Sequence, residues 1–198
     1  MAGLILASAS PRRLELLRQI GCEPAAVRAA ELDEGPHARE LPAALAKRLA
    51  LAKADAVALR YPGDYVLAAD TVVACGRRIL PKAESEAEAR ACLTLLSGRR
   101  HRVLTAIVVR APGQCRAQRL VTSTVTFRRL APEDIAWYLA GGEWRGKAGG
   151  YAIQGKAALF VRALGGSYSN VVGLPLYETA ALLQGLGFHW RGDTDLRR

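Results

Sequence analysis

The sequence predicts an α/β fold in which helices flank a mixed central sheet. Three observations favour this class. Short apolar runs typical of buried strands alternate with segments of helical periodicity, and two β-rich stretches flank a Pro-Gly turn. No internal repeat or low-complexity linker divides the 198 residues, and strand and helix patterns mix throughout. We therefore expect one domain that spans residues 1–198.

The chain begins with signals for a strand, a tight loop and a helix. Residues 4–7 form a short apolar run, and Ser10 can cap a helix whose first turn accepts Pro11. A weaker strand is expected over residues 25–30 and a longer helix over residues 42–59. On that longer helix Lys53 stands beside the apolar stripe, so its ammonium group could reach inward.

The strongest strand signal contains a carboxylate. Residues 65–75 are mostly apolar, but Asp70 and Thr71 interrupt the run. A carboxylate inside a buried strand is strongly destabilising unless it is paired, hydrogen-bonded or bound to a cation. Asp70 is therefore a candidate functional residue, and an aspartate that merely caps a turn is the alternative.

The second half alternates further helices and strands. Ser85 and Glu88 form a Ser-x-x-Glu capping box, which predicts a helix that ends at Gly98. The remaining expected elements are strands over residues 101–110, 120–127 and 159–164 and helices that begin at Pro132 and Pro175.

Composition narrows the class of protein. Apolar residues make up 51% of the chain, and no apolar run approaches the roughly 18 residues that span a bilayer, so no membrane association is expected. Twenty-eight basic against eighteen acidic side chains give a net charge of +10, which favours acidic partners such as nucleotides or nucleic acids. The basic residues are dispersed with little aromatic interleaving, so stable binding to nucleic acid is not expected.

The cysteines and histidines give no sign of a thiolate or imidazole metal site. The four cysteines are far apart and form no Cys-x-x-Cys pair, and the three histidines are equally scattered. We expect reduced thiols in a cytoplasmic protein and, if a metal binds, oxygen ligands.

The N-terminal loop is a candidate phosphate cradle. The hydroxyl groups of Ser8 and Ser10 and the guanidinium groups of Arg12 and Arg13 surround a helix N-terminus. Its free N–H groups and positive dipole end attract anions. A serine cap followed by surface arginines is the alternative interpretation.

Other polar residues could complete such a site. Glu34 could join Asp70, since paired carboxylates together with a polyphosphate commonly hold magnesium. Lys53 and Lys82 would neutralise a triphosphate, and the amide of Gln154 can both donate to and accept from a base edge. Each has an ordinary alternative as a solvated acid, a surface lysine or a loop glutamine.

Together these segments resemble the Maf family of nucleoside triphosphate pyrophosphatases, also called septum-formation-inhibitor proteins. The resemblance extends over nearly the whole chain, in five segments that occur in the family's order. They are Leu-Ala-Ser-Ala-Ser-Pro-Arg-Arg at residues 6–13, Ala-Asp-Thr-Val-Val at 69–73, Leu-Ser-Gly-Arg-Arg-His at 96–101 with Thr105, Lys-Ala-Gly-Gly-Tyr-Ala-Ile-Gln-Gly at 147–155 and Val-Gly-Leu-Pro at 172–175.

The resemblance implies a two-lobed, ITPase-like fold around a nucleotide cleft and hydrolysis of a triphosphate to a monophosphate and pyrophosphate. Asp70 would act as general base or as a metal-bound carboxylate, and Glu34 would help to hold Mg²⁺ or Mn²⁺. The residues matched to the polyphosphate contacts are Ser8, Arg12, Arg13, Lys53 and Lys82.

The resemblance also bears on the substrate and on oligomeric state. Arg12, Thr71 and Gln154 match the group that hydrolyses dTTP and UTP, and modified pyrimidine nucleotides are equally compatible. A homodimer is suggested by the resemblance alone.

Two departures from the family pattern concern loops. Proline usually follows the lysine that matches Lys82, whereas here Pro81 precedes it, and a longer loop before Glu34 leaves Asp33 as the alternative acid.

Two other function classes remain open at this point. A nucleic-acid-binding module is motivated by the net charge of +10. A cell-division regulator that acts by partner binding, without essential catalysis, is motivated by the family's alternative name.

Overall fold

A computed structural model describes residues 2–190, so the part of the domain prediction that concerns residues 191–198 lies outside the described chain. The first half contains strand β1 (Leu4–Leu6), helix α1 (Pro11–Gln19), strand β2 (Ala26–Val27), helix α2 (Pro42–Ala58), strand β3 (Tyr65–Cys75) and the short strands β4 (Arg78–Leu80) and β5 (Lys82–Ala83). The second half contains helix α3 (Glu86–Leu96), strands β6 (Arg100–Arg110) and β7 (Arg116–Phe127), helix α4 (Pro132–Ala140), strands β8 (Lys147–Ala148) and β9 (Val161–Gly165), and helices α5 (Tyr168–Val172) and α6 (Leu176–Gly185).

The central sheet is mixed, which confirms the predicted fold class. Within residues 2–190 its strands follow the order β2-β1-β3-β6-β7-β9, with β4 also paired to β3. Strands β1, β2 and β3 run parallel, whereas β3, β6, β7 and β9 pair antiparallel. A separate two-stranded ladder joins β5 to β8.

Three apolar clusters divide the molecule into two lobes. One cluster packs α2 on one face of the sheet, and a second packs α1 and α6 on the opposite face, so together they build the first lobe. The third cluster gathers α3, α4 and the far ends of β3, β6 and β7 into the second lobe, around Phe127 and Tyr138. Long strands that run through both lobes hold the two parts together.

One edge of β3 is left open between the lobes. Strand β6 pairs along nearly all of one edge, from Val66 to Ala74. On the other edge β1 pairs only with residues 65–67 and β4 only with residues 73–75. Among the described strands none pairs with residues 68–72 on that side. Open α/β sheets commonly bind ligands where a parallel strand ends, and β1 ends at this opening.

The helix starts agree with the sequence, apart from one cap. The Ser85 capping box is present: the Ser85 hydroxyl accepts from the Glu88 N–H, and the Glu88 carboxylate accepts from the Ser85 N–H. The side-chain cap expected from Ser10 is wrong, because its side chain makes no cap hydrogen bond. Instead the Ser10 N–H donates to the Ser8 Oγ at 3.1 Å.

Several strand predictions require correction. Strand β7 begins four residues earlier than the apolar pattern indicated, because its exposed first part pairs with β6 as far as Arg110–Arg116. The last strand begins only at Val161, since Lys156–Phe160 forms a 3-10 helix, and β2 is shorter than expected. Helix α5 and the ladder of β5 and β8 escaped prediction because each is too short to show a period.

The four cysteines have free thiols. None of the helices within residues 2–190 has the length and apolar character needed to cross a membrane.

His101 is a buried, uncharged part of the second lobe. Its ring is 1% exposed and makes edge contacts with Phe127 and Tyr151, with ring centroids 5.0 and 5.4 Å apart. Its Nε2 lies 2.8 Å from the Tyr151 hydroxyl. Burial lowers the pKa of His101 from 6.5 to about 4, because the protonated ring would lose its hydration.

This pKa predicts that acid destabilises the protein through His101. Between pH 6.5 and about 4 the unfolded chain binds a proton that the folded state excludes, so the stability gained from the neutral ring is complete above pH 6.5 and is lost as pH falls. Urea unfolding at pH 7 and at pH 4.5 measures the free energy of unfolding. Between these two pH values it should fall by roughly 2–3 kcal/mol more in the wild type than in His101→Gln. Equal losses in both proteins would contradict a neutral buried ring.

Candidate functional site

A cleft of about 700 Å³ opens at the free edge of β3, between the two lobes. Every residue predicted for the site lines it. These residues are Ser8, Arg12, Arg13, Glu34, Lys53, Asp70, Thr71, Lys82 and Gln154. Asp33, the alternative acid, is not among the lining residues; its carboxylate accepts a hydrogen bond from the Gly35 N–H at 2.9 Å.

The floor of the cleft is a buried ion pair. Asp70 is 3% exposed and Lys53 is 6% exposed, and the Lys53 Nζ lies 2.6 Å from the Asp70 Oδ1. Strand β3 turns Asp70 toward α2, and Lys53 lies on the face of α2 that packs against this strand. Each charge compensates the other in a position from which water is excluded. This pairing explains how an apolar strand can contain a carboxylate.

Glu34 joins the same cluster from the loop between β2 and α2. The Lys53 Nζ also lies 2.6 Å from the Glu34 Oε1, and the exposed Lys82 ammonium donates to the Glu34 Oε2. Partial burial raises the pKa of Glu34, but the hydrogen bonds and charges of Lys53 and Lys82 outweigh that effect and lower it to about 2. Glu34 is therefore a carboxylate at any ordinary pH.

The N-terminal loop is ordered by Ser8 and Arg13. The Ser8 Oγ accepts from the Ser10 N–H and, at 3.0 Å, from the Arg13 Nη1. The other two nitrogens of Arg13 donate to the Gly173 carbonyl at 2.8 Å and to the Thr71 Oγ1 at 3.2 Å. Burial lowers the pKa of Arg13 below its ordinary value, and the charge of Asp70 opposes this shift. Arg13 thus ties the loop to β3 and to the segment after α5.

Arg12 is held differently and faces the cleft. Its Nε is buried and has no hydrogen-bond partner among residues 2–190. Burial lowers its pKa, and Glu15 partly restores it. Burial also lowers the pKa of Lys147, an effect to which the nearby charge of Arg12 adds. Two cations that destabilise each other in this way favour an anionic ligand between them.

The wall formed by the second lobe depends on two glycines. Gly149 and Gly150 both have a φ of +70°, a conformation that side chains disfavour. A Cβ on Gly149 would lie 2.9 Å from the Val73 Cγ1, and one on Gly150 would lie 3.1 Å from the Ala89 Cα. The loop can therefore pack closely against β3 and α3, which brings the exposed Gln154 to the cleft.

The ladder of β5 and β8 places Lys82. Lys82 pairs with Ala148 and Ala83 pairs with Lys147, and the Gly149 N–H donates to the Pro81 carbonyl at 2.9 Å. Proline has no N–H, but its carbonyl is free to join this contact. Pro81 is thus compatible with a path that brings Lys82 to Glu34, despite the departure from the family pattern.

Sequence reasoning missed several cleft residues of the second lobe. Glu143 and Arg145 were not singled out, and Lys147 and Tyr151 were noted only as members of a glycine-rich segment. Glu143 accepts from the Lys156 N–H at 2.8 Å, and the Arg145 guanidinium stacks 4.6 Å from the Trp144 ring centroid. For Glu143 and Arg145 the available signal was their position just before the 147–155 motif. Sequence pattern alone does not distinguish these two residues from surface charges.

The two carboxylates also meet the requirements of a hard cation. Asp70 and Glu34 each place an oxygen 2.6 Å from the same ammonium nitrogen, so their oxygens converge on a common point. Carboxylate oxygens are the ligands that magnesium and manganese prefer. No cluster of three or more histidine, cysteine, aspartate or glutamate side chains suited to a metal occurs within the described part of the chain. Any bound cation would therefore need further oxygens from water or from a phosphate.

Removing Lys82 should raise the pKa of Glu34. In Lys82→Met the carboxylate loses one of its two ammonium partners, so its pKa should move from about 2 toward the ordinary 4.5. Carbon-13 NMR of labelled glutamate carboxyls, followed through an acid titration, measures this shift. Lys47→Met, an exposed lysine on α2 outside this cleft, is the matched control. An unchanged Glu34 titration in Lys82→Met would contradict the contact.

Comparison with known proteins places the chain in a family. The family described as "Maf-like protein" matches residues 3–186. A dTTP/UTP pyrophosphatase of Paramagnetospirillum magneticum is 64% identical over 188 residues, which cover 95% of this chain and 99% of that protein. A dTTP/UTP pyrophosphatase of Rhodospirillum rubrum is 63% identical over 185 residues, covering 93% and 88% of the two chains.

Among solved structures, a HAM1 protein from Coxiella burnetii shares the fold. The two structures superpose with a TM-score of 0.51 at 15% sequence identity, and the match covers 93% of this chain and 100% of the HAM1 protein. At this identity the likeness concerns architecture alone. The family match covers nearly the whole described chain, and two relatives are more than 60% identical. This chain therefore belongs to the Maf family.

Proposed function

We propose that this protein hydrolyses nucleoside triphosphates between the α- and β-phosphates and releases a nucleoside monophosphate and pyrophosphate. The observation that carries this proposal is the buried Asp70 carboxylate, paired to Lys53 at the base of a cleft rich in cations. Relatives that are 64% and 63% identical are dTTP/UTP pyrophosphatases, which supports the same reaction here.

Asp70 would prepare the attacking water. Its carboxylate lies at the open edge of β3, where a water could donate to it and lose a proton as it attacks the α-phosphorus. Lys53 holds the Asp70 Oδ1 at 2.6 Å and so fixes the direction in which the carboxylate accepts. The low exposure of both groups limits competition from bulk solvent.

The surrounding cations would bind the triphosphate and stabilise the leaving pyrophosphate. Arg12, Lys82 and Lys147 line the cleft from both lobes, so a bound polyphosphate would contact each side. Ser8 accepts two hydrogen bonds and still has its own hydroxyl hydrogen for a phosphate oxygen. Three nitrogens of Arg13 are engaged within the protein, so its first task would be to hold the loop.

The substrate we propose is a pyrimidine nucleotide, dTTP or UTP. Arg12, Thr71 and Gln154, which the family resemblance connects with this choice, all line the same cleft. Modified pyrimidine triphosphates remain compatible with the same side chains. We further propose one domain for the whole chain and a cytoplasmic location, which the free cysteine thiols support, and a homodimer on family resemblance alone.

We also propose a divalent metal cation, Mg²⁺ or Mn²⁺, as cofactor. Glu34 and Asp70 would hold it, and it would supply positive charge at the nucleotide phosphates. Their convergence on a single ammonium group supports this assignment.

Asp70→Asn should remove the reaction while retaining the fold. The amide can still accept from Lys53 but is a far weaker base, so pyrophosphate release from dTTP or UTP should fall at least about 100-fold. Asp33→Asn is the matched control, because Asp33 lies outside the cleft and should leave turnover near the wild-type rate. Circular dichroism and thermal unfolding check the fold. Orthophosphate as the product, or an active Asp70→Asn, would exclude the proposed mechanism.

Removal of divalent cations should stop turnover. Dialysis against a chelator is expected to abolish pyrophosphate release, and added Mg²⁺ or Mn²⁺ should restore it. Because Glu34 supplies one of two carboxylates, Glu34→Gln should raise the metal concentration needed for half-maximal turnover by about tenfold. Full activity in chelator would show that the two carboxylates serve another purpose.

A further inference from the structure

A short chain of hydrogen bonds leads from the cleft into the protein. Thr71 lines the cleft, and its Oγ1 lies 3.0 Å from the Oγ1 of Thr105. The Thr105 Oγ1 lies 3.1 Å from the backbone carbonyl of Asn170. Thr105 and Asn170 are both 0% exposed, so bulk water does not substitute for these contacts.

The direction of each hydrogen bond in this chain follows from the number of hydrogens. A carbonyl only accepts, so the single hydroxyl hydrogen of Thr105 points to Asn170. Thr105 is therefore an acceptor toward Thr71, and the hydroxyl hydrogen of Thr71 points to Thr105. Among residues 2–190 the other acceptor near the Thr71 Oγ1 is the Gly173 carbonyl, which at 3.5 Å is the longer contact and already accepts from the Arg13 Nε at 2.8 Å.

The inner end of the chain is fixed in place. The Asn170 side-chain amide donates to the Val103 carbonyl at 3.1 Å and to the Ser123 Oγ at 2.9 Å. The Asn170 N–H donates to the Ser167 Oγ at 3.2 Å. These contacts join α5 to both β6 and β7, so the carbonyl that receives the Thr105 hydrogen has little freedom to move.

At the cleft, Thr71 therefore presents a hydroxyl group that can only accept a hydrogen bond from a ligand. Thr71 gives its hydrogen to Thr105, and one of its lone pairs receives the Arg13 Nη2 at 3.2 Å. What remains for a ligand is a lone pair. A threonine hydroxyl normally rotates to donate or to accept, but here that choice has been removed by the protein.

We propose that Thr105 is a positioning residue for substrate selection, which acts by making Thr71 a hydrogen-bond acceptor toward the nucleotide. This inference rests on the proposed function. A base edge that carries a donor, the imide N–H of uracil or thymine, satisfies the Thr71 lone pair. Cytosine presents a ring-nitrogen acceptor at the same position of the ring, so two lone pairs would face each other. Such a mismatch leaves polar groups unpaired and lowers kcat/KM.

Replacing Thr105 tests the proposal through the ratio of kcat/KM for UTP to that for CTP. Thr105→Val removes the acceptor for the Thr71 hydrogen, so the hydroxyl can turn and donate, and the ratio should fall about tenfold. Thr105→Ser keeps the acceptor and should keep the ratio. Thr122→Val, an exposed threonine on β7 outside the cleft, is the matched control. Thr105→Ala lacks the same hydroxyl group and replaces Thr105→Val if the latter does not fold.

A double-mutant cycle separates positioning from general damage. If Thr105 acts through Thr71, then Thr105→Val should change the UTP to CTP ratio in the wild type but not in Thr71→Val, which has no hydroxyl to reorient. A ratio unchanged by Thr105→Val, or changed equally in both backgrounds, overturns the inference.

Failure of the proposed function would look different. A wild-type protein that releases no pyrophosphate from UTP refutes the proposed activity. Calorimetric titration of Asp70→Asn with UTP and CTP, with and without Thr105→Val, then decides the inference by binding alone. A preference for UTP that Thr105→Val weakens supports it, and equal affinities in the two proteins overturn it.

Discussion

The pairing of Asp70 with Lys53 is the constraint on which the site depends. Two charged groups share a buried position between β3 and α2, with 2.6 Å between the Asp70 Oδ1 and the Lys53 Nζ. Loss of either partner would leave the other charge desolvated and unpaired, which is strongly unfavourable. The pair also orients Asp70 at the one stretch of β3 whose outer edge has no strand beside it among the described residues. Stability and chemistry therefore place opposite demands on the same two residues: the fold needs them paired, and the reaction needs the carboxylate accessible.

The site is assembled from segments that are far apart in the chain. Arg13 shows this most clearly, because its nitrogens reach Ser8, Thr71 and Gly173, the last of which is 160 positions away. A guanidinium suits this task, since its planar donors point in fixed and different directions. Thr105 and Asn170 extend the same network into the core, so the N-terminal loop, β3, β6 and α5 are joined at one place.

The two lobes make different contributions. The first lobe supplies the carboxylates and the ordered N-terminal loop. The second supplies Lys82, Lys147 and Gln154 on a short ladder and a glycine-rich loop that leans on β3. Burial lowers the pKa of Lys147, and the charge of Arg12 on the other side of the cleft adds to this effect, so cations from both sides repel one another. An anion in the cleft would relieve that repulsion, which connects binding of a polyphosphate to the relative position of the two walls.

The sequence by itself determined the α/β class, the long helices and strands, and nine of the residues that line the cleft. Those predictions succeeded because long elements repeat their apolar pattern over several turns, and because a carboxylate within a buried strand is conspicuous. Tertiary structure alone decided the rest. Whether Glu34 or Asp33 enters the cleft depends on the path of a loop without periodicity, and α5, β5 and β8 are too short to show a pattern. The direction of the Thr71 hydroxyl is fixed by atoms of residues 105 and 170, and such long-range contacts leave no trace in local sequence.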